Sequence, residues 1–375
     1  MEKPRLIGID LISGIAAFAV AILHSGDVTT ATTVGFWATQ VQRFCGFAVP
    51  FFLISSFYLS IDRIYKTGKS PLLKSKFQRL IIPYVFWSLF YIIARLIKLL
   101  LLQEPVNIAR LSDPISIIFL GNAGIHLYFI PMLFTGVLFL TVIEKLIIKK
   151  VNFFQIVLLF LISLLVDNIV FLTDNSFLLG PYIAFDSLLD TVFPNGNENP
   201  FIRVSLVLLA WLIKCLPYIF AAMILNHLLA KNHLRSDTGS LLISLAVFLG
   251  ISYFGFLGID LNSAIYTDHR PPFYDIAKSI PLLLFSIHLS FCLHCSTAVT
   301  SIVKSLGICS FGIYLMHQFL IQVIRLPASE MFPDLVYNVS VSTQLFFAFF
   351  SVGVSWLATI LLMKRRKLSR LLFGL

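Results

Sequence analysis

A histidine, an aspartate and a serine stand inside one apolar run, Leu6 to Asp27, which reads LIGIDLISGIAAFAVAILHSGD. The imidazole of His24 has an ordinary pKa near about 6.5, so it can take a proton from a hydroxyl at neutral pH. Asp27 follows three residues later and can orient that ring if the helix continues. The run is long enough to cross a bilayer as a helix, which takes roughly 20 residues. On that helix Ser13 and His24 are eleven positions apart. They share a face at a separation of about 16 Å, and Asp10 lies within about 40° of it. An ionisable side chain costs about 2.5–3.5 kcal/mol at the centre of a span, so such residues face a bundle interior or a watery cavity. The run thus carries a polar stripe with a different group in each leaflet. A plainer reading leaves His24 at the interface and Asp10 among the headgroups.

Two further histidines fall in apolar surroundings, His126 in GIHLYFIP and His317 in SFGIYLMHQ. Arg43 lies in a third apolar segment, and Arg95 and Lys98 near the end of a fourth. None of the histidines has metal-ligand spacing within one helix, so no metal is expected. A lone membrane histidine more often makes an interhelical hydrogen bond than does chemistry. Lys74, Lys76 and Arg79 form a basic approach to an apolar run. Such a cluster can hold phosphates, or it can be a solvated loop near anionic lipid.

The elements that position these groups are helices. The apolar runs give ten candidate spans: 6–25, 37–61, 80–102, 125–143, 152–173, 203–229, 239–258, 274–294, 306–326 and 342–363. Most of the 28 basic residues fall in alternate loops and at both ends of the chain. The excess of Lys and Arg marks the cytoplasmic side, so both termini are expected there. Asp10, Lys76 and Arg79 are then on the inner side, and His24, Arg43, His126 and His317 in the outer half. No folded extramembrane segment or repeat is evident, and a single membrane domain over 1–375 is expected.

Composition supports this class. The chain is 58% hydrophobic and only 12% charged, whereas soluble domains are about 25% charged. With repeated apolar runs, that predicts an all-α integral membrane protein. The net charge of +10 follows from the loop asymmetry and is no sign of a nucleic-acid partner. The first run lacks a small-residue cleavage site, so a cleaved signal is not expected. Cys45, Cys215, Cys292, Cys295 and Cys309 all lie in or beside apolar runs, which argues against a disulfide framework.

Five stretches, in order, resemble the membrane acyltransferase-3 family. They are IDLISGIAAFAVAILH in the first span, GFAVPFFLISSFYLS at 46–60, KFQRLIIPYVFWSLFY at 76–91, GIHLYFIPMLF at 124–134 and SFGIYLMHQFLI at 310–321. The resemblance implies a ten-span O-acyltransferase of surface or exported glycans in the cell membrane. Its donor would be an acyl-CoA carrying acetyl or another short chain. His24 matches the family histidine, which the resemblance makes the base on the acceptor hydroxyl. Ser13 occupies the position where the family carries an arginine serving the acyl-CoA end. Lys76 and Arg79 match a basic pair tied to the same end, and Ser56 stands for the usual glycine after Ser55. The implied partners are membrane lipid, a glycan or lipid-linked sugar, and glycan-assembly proteins. Arg43, His126 and His317 are candidate acceptor-side groups. A transporter lined by the polar stripe is the alternative from another class. A degenerate family member that scaffolds glycan assembly is a third, motivated by Ser13.

Overall fold

A computed structural model describes residues 5–26, 33–68, 73–102, 114–147, 151–172, 199–230, 237–256, 272–292 and 297–375. Asp27, most of the predicted outer loops and Cys295 lie outside these residues. The helices are α1 (Ile7–Ser25), α2 (Phe36–Cys45), α3 (Ala48–Thr67), α4 (Leu73–Leu102), α5 (Pro114–Leu120), α6 (Phe129–Ile147) and α7 (Phe153–Leu172). They continue with α8 (Pro200–Ala230), α9 (Thr238–Phe256), α10 (Pro272–Cys292), α11 (Thr297–Met331), α12 (Pro333–Tyr337), α13 (Val341–Met363) and α14 (Arg366–Phe373). A single two-residue parallel ladder joins β1 (Thr33–Val34) to β2 (Asn338–Val339) among the described residues.

The protein is an all-α membrane protein. Among the described residues, eight helical segments are long and apolar enough to cross a bilayer. Two shorter apolar helices, Phe129–Glu144 and Thr238–Tyr253, fall on the other two predicted spans. The predicted span 37–61 lies within the apolar segment Phe36–Thr67, whose helix is interrupted where α2 ends at Cys45 and α3 begins at Ala48. The Gly46 N–H donates to the Gln42 and Arg43 carbonyls at 3.1 and 3.4 Å, closing α2. Pro50 then sits in the first turn of α3, where its missing N–H costs nothing. The predicted span 125–143 starts late, at Phe129. Residues 121–128 form turns instead, with Gly121 at φ +75° and the Leu127 N–H donating to the Gly124 carbonyl at 2.9 Å.

The chain divides into two compact units. The first holds residues 1–55, 228–270 and 274–365, and hence α1, α2, α9, α11, α12, α13 and nearly all of α10. Lipid tails are as apolar as leucine, so close van der Waals packing and interhelical hydrogen bonds must hold such helices. Small residues provide the closeness here. A Cβ placed on Gly307 of α11 would lie 2.5 Å from the Asp10 Cβ on α1. One on Gly312 would lie 2.4 Å from Thr359 Oγ1 on α13, and one on Gly8 would lie 2.0 Å from the Ser286 carbonyl oxygen of α10. Ala17, Cys309 and Ile313 form a buried centre against Phe52, Val352, Trp356 and Ile360. The Gly8 N–H donates to Ser290 Oγ at 2.9 Å, and Trp356 Nε1–H to Ser305 Oγ at 3.1 Å.

The second unit holds residues 56–227, 271–273 and 366–375. Tyr84 Oη donates toward the Ile117 and Ile118 carbonyls at 2.9 and 2.8 Å, fastening α5 to α4. Arg203 Nη2 donates to Ser116 Oγ at 3.3 Å, bringing in α8. The amphipathic α14 buries Leu372 and Phe373 and leaves Arg366, Lys367 and Arg370 exposed. Trp87 Nε1–H of α4 donates to the Leu372 carbonyl at 3.0 Å. In contrast α7 exposes Phe154, Leu158, Leu161, Leu165 and Ile169, the apolar surface expected of a helix facing lipid.

Candidate functional site

The polar end of α1 lies in the first unit. His24 is half-buried in the last turn of the helix. His317, on α11, is fully buried. Their ring centroids are 5.3 Å apart. His317 Nδ1 lies 3.2 Å from the Ile313 carbonyl. A carbonyl only accepts, so Nδ1 carries the proton in this contact, and the ring's lone pair in the neutral form is on Nε2. Tyr314 packs against the same ring at 6.0 Å. Two imidazoles predicted to share a leaflet are therefore brought together by α1 and α11.

Three residues that sequence reasoning missed surround this end. Arg325, two turns beyond His317 on α11, is buried and donates from Nη2 to the Ser25 carbonyl at 2.8 Å. Its guanidinium also lies 5.7 Å from the Phe347 ring centre. A cation there meets the negative end of the α1 dipole and one of its last unpaired carbonyls. The Gln42 amide of α2 donates from Nε2 to the Gly26 carbonyl at 2.9 Å. Gln344 of α13 is fully buried, and its Nε2 lies 2.5 Å from the point a Cβ on Gly26 would occupy. The signal for Arg325 was present: an arginine inside an apolar run needs a partner. Gln42 and Gln344 carry no charge, and their approach to Gly26 depends on three separate helices meeting.

The ladder and caps hold this end in place. Thr33 and Val34, after α1, pair with Asn338 and Val339, before α13. Ser340 then caps α13, its hydroxyl accepting from the Thr343 N–H at 3.2 Å. Gln344 is thus in a first turn fixed by a side-chain cap.

At the other end of α1, Asp10 is half-buried and held by Arg5, whose Nε and Nη2 donate to it at 2.5 and 2.9 Å. That hydrogen bonding pushes the Arg5 guanidinium above its ordinary range, so Arg5 stays charged at every physiological pH. Arg5 was read only as a marker of the cytoplasmic side, although its pairing uses a local spacing. Ser13 is half-buried one turn above Asp10.

The remaining predicted residues are placed as follows. Arg43 is exposed in the last turn of α2. His126 belongs to the second unit, buried in the turn before α6 with its ring 5.0 Å from Tyr91. Arg95 Nη2 donates to the Ala123 carbonyl of that turn at 3.2 Å. Lys76 and Arg79 share the start of α4, where Lys76 Nζ donates to Ser60 Oγ at 3.2 Å. Asp27 lies outside the described residues. In the first unit Lys278, also missed, is buried on α10, 3.5 Å from Asp275 and 4.4 Å above the Tyr274 ring. Among the described residues, no group of three or more His, Cys, Asp or Glu is placed to hold a metal.

Apolar spanning helices, with an imidazole pair among them, define a multi-pass membrane protein. The chain belongs to the acyltransferase-3 family, whose model, described as an acyltransferase domain, matches residues 6–360. The protein is therefore a membrane acyltransferase, and the resemblance carried by the five motifs is borne out over nearly the whole chain. No curated protein and no solved structure matches it.

Proposed function

We propose that the protein moves an acyl group, acetyl or another short chain, from acyl-CoA to a hydroxyl of a surface glycan or lipid-linked sugar. The observation that carries this reading is the His24–His317 pair, 5.3 Å apart at the polar end of α1. His24 takes the proton of the acceptor hydroxyl as its oxygen attacks the thioester carbonyl. The tetrahedral intermediate then expels the coenzyme thiolate, and the proton passes from the imidazolium to that sulfur. The products are an ester and free coenzyme, and the atoms balance without any redox partner.

Lys76 and Arg79 would hold the donor's phosphates on the cytoplasmic side. The loop charges put His24 in the outer half of the cell membrane. The acyl group would cross while the coenzyme stays inside. The test is acyl transfer to surface glycans, read by mass spectrometry of cells carrying the wild type or His24→Ala. Loss of ester in the variant, at equal membrane content, is expected. Unchanged acylation would overturn the mechanism.

A further inference from the structure

Gln344 stands out among the buried polar groups. It is fully buried, and neither its Oε1 nor its Nε2 has a hydrogen-bond partner among the described residues. Buried polar groups are as a rule hydrogen-bonded, and where Gln40 and Gln318 each have one orphaned atom, Gln344 has both polar atoms of its amide so placed, which a ligand would satisfy. Its position says which one. Gln344 Nε2 lies 2.5 Å from the point a Cβ on Gly26 would fill, and Gln42 Nε2 lies 2.0 Å from the same point. Gly26 is two residues past His24. The absence of a side chain at Gly26 leaves the two amides against the backbone that carries the candidate base.

We propose that Gln344 is an acceptor-binding residue, and that the acceptor presents a second hydroxyl besides the one that is acylated. This rests on the acyl-transfer reading given above. One hydroxyl faces His24. The other lies on the Gln344 amide, donating to Oε1 and accepting from Nε2. A primary amide offers an acceptor and a donor side by side, and one hydroxyl can meet both. Gln344 makes no proton transfer, and its contribution is to select and hold the acceptor.

The test uses full-length protein in membranes, labelled acetyl-CoA and, as acceptor, surface glycan stripped of its esters by mild alkali. Gln344→Leu is expected to raise the half-saturating glycan concentration about tenfold, as loss of one buried hydrogen-bonding group does. The half-saturating acetyl-CoA concentration is expected to stay as in the wild type. Gln344→Glu keeps the shape but loses the donor edge, and decides the matter if the leucine variant fails to insert. Its glycan requirement is expected to rise in the same sense. If His24→Ala is inactive while both Gln344 variants saturate at the wild-type glycan concentration, this inference is wrong and the transfer reading stands. If His24→Ala transfers like the wild type, the transfer reading itself has failed.

Discussion

At the scale of single residues, the proposed transfer depends on one imidazole being able to accept a proton beside another. The base must be unprotonated to take the acceptor's proton. The Arg325 side chain ties α11 to the last carbonyls of α1 at 2.8 Å. Arg325→Met should lower the transfer rate and cost about 1–3 kcal/mol of stability, because the Ser25 carbonyl is then buried with one partner fewer. Thermal melting beside activity separates the two effects. Ser13 stands one turn from the Asp10 carboxylate. Ser13→Arg is expected to lower the half-saturating acyl-CoA concentration. An unchanged donor requirement would detach this position from the donor end.

At the scale of elements, α1 works because its glycines and alanines let α10 and α11 approach its backbone. Gly8 shows how tight this is, since an added Cβ would lie 2.0 Å from a main-chain oxygen that cannot swing away. Gly8→Ala should therefore destabilise by about 1–3 kcal/mol. Gly250, on α9, has nothing within 4 Å of such a Cβ. There the same change should be neutral or stabilise by up to about 1 kcal/mol, because alanine restricts the unfolded chain. Melting of the two variants in detergent compares them directly. Equal losses would mean the close approach is not what holds α1. The break between α2 and α3 is also an element-scale matter. Gly46 and Pro50 were visible in the sequence, yet hydropathy averages over both and reads one span.

For the molecule as a whole, the positive loops predict both termini in the cytoplasm. A reporter that works only in the cytoplasm, fused to the C-terminus, is expected to be active. The C-terminal helix α14 is more than a basic tail. Phe373 is fully buried and Trp87 bonds the Leu372 carbonyl at 3.0 Å. Gly374, at φ +66°, lies so close to Arg79 that a Cβ would meet its carbonyl oxygen at 2.4 Å. Phe373→Ala should cost about 3 kcal/mol and disturb the start of α4, where Lys76 and Arg79 stand. Melting temperature and donor requirement would report the two consequences.

The sequence by itself determined the class of fold, the order of the apolar segments, and the motifs that mark the family. These are properties of composition along one dimension: a run of about twenty apolar residues has few ways to satisfy its backbone in lipid except as a helix. It also pointed to His24, because an ionisable group in such a run is costly. Only the tertiary structure decided that His317 and Arg325, some three hundred positions away, close on the end of α1, while His126 belongs to the other unit. It alone joined Arg5 to Asp10 and brought Gln42 and Gln344 to Gly26. Those contacts depend on which faces of separate helices meet, and on hydrogen bonds between uncharged groups, and neither leaves a periodic mark in the order of the residues.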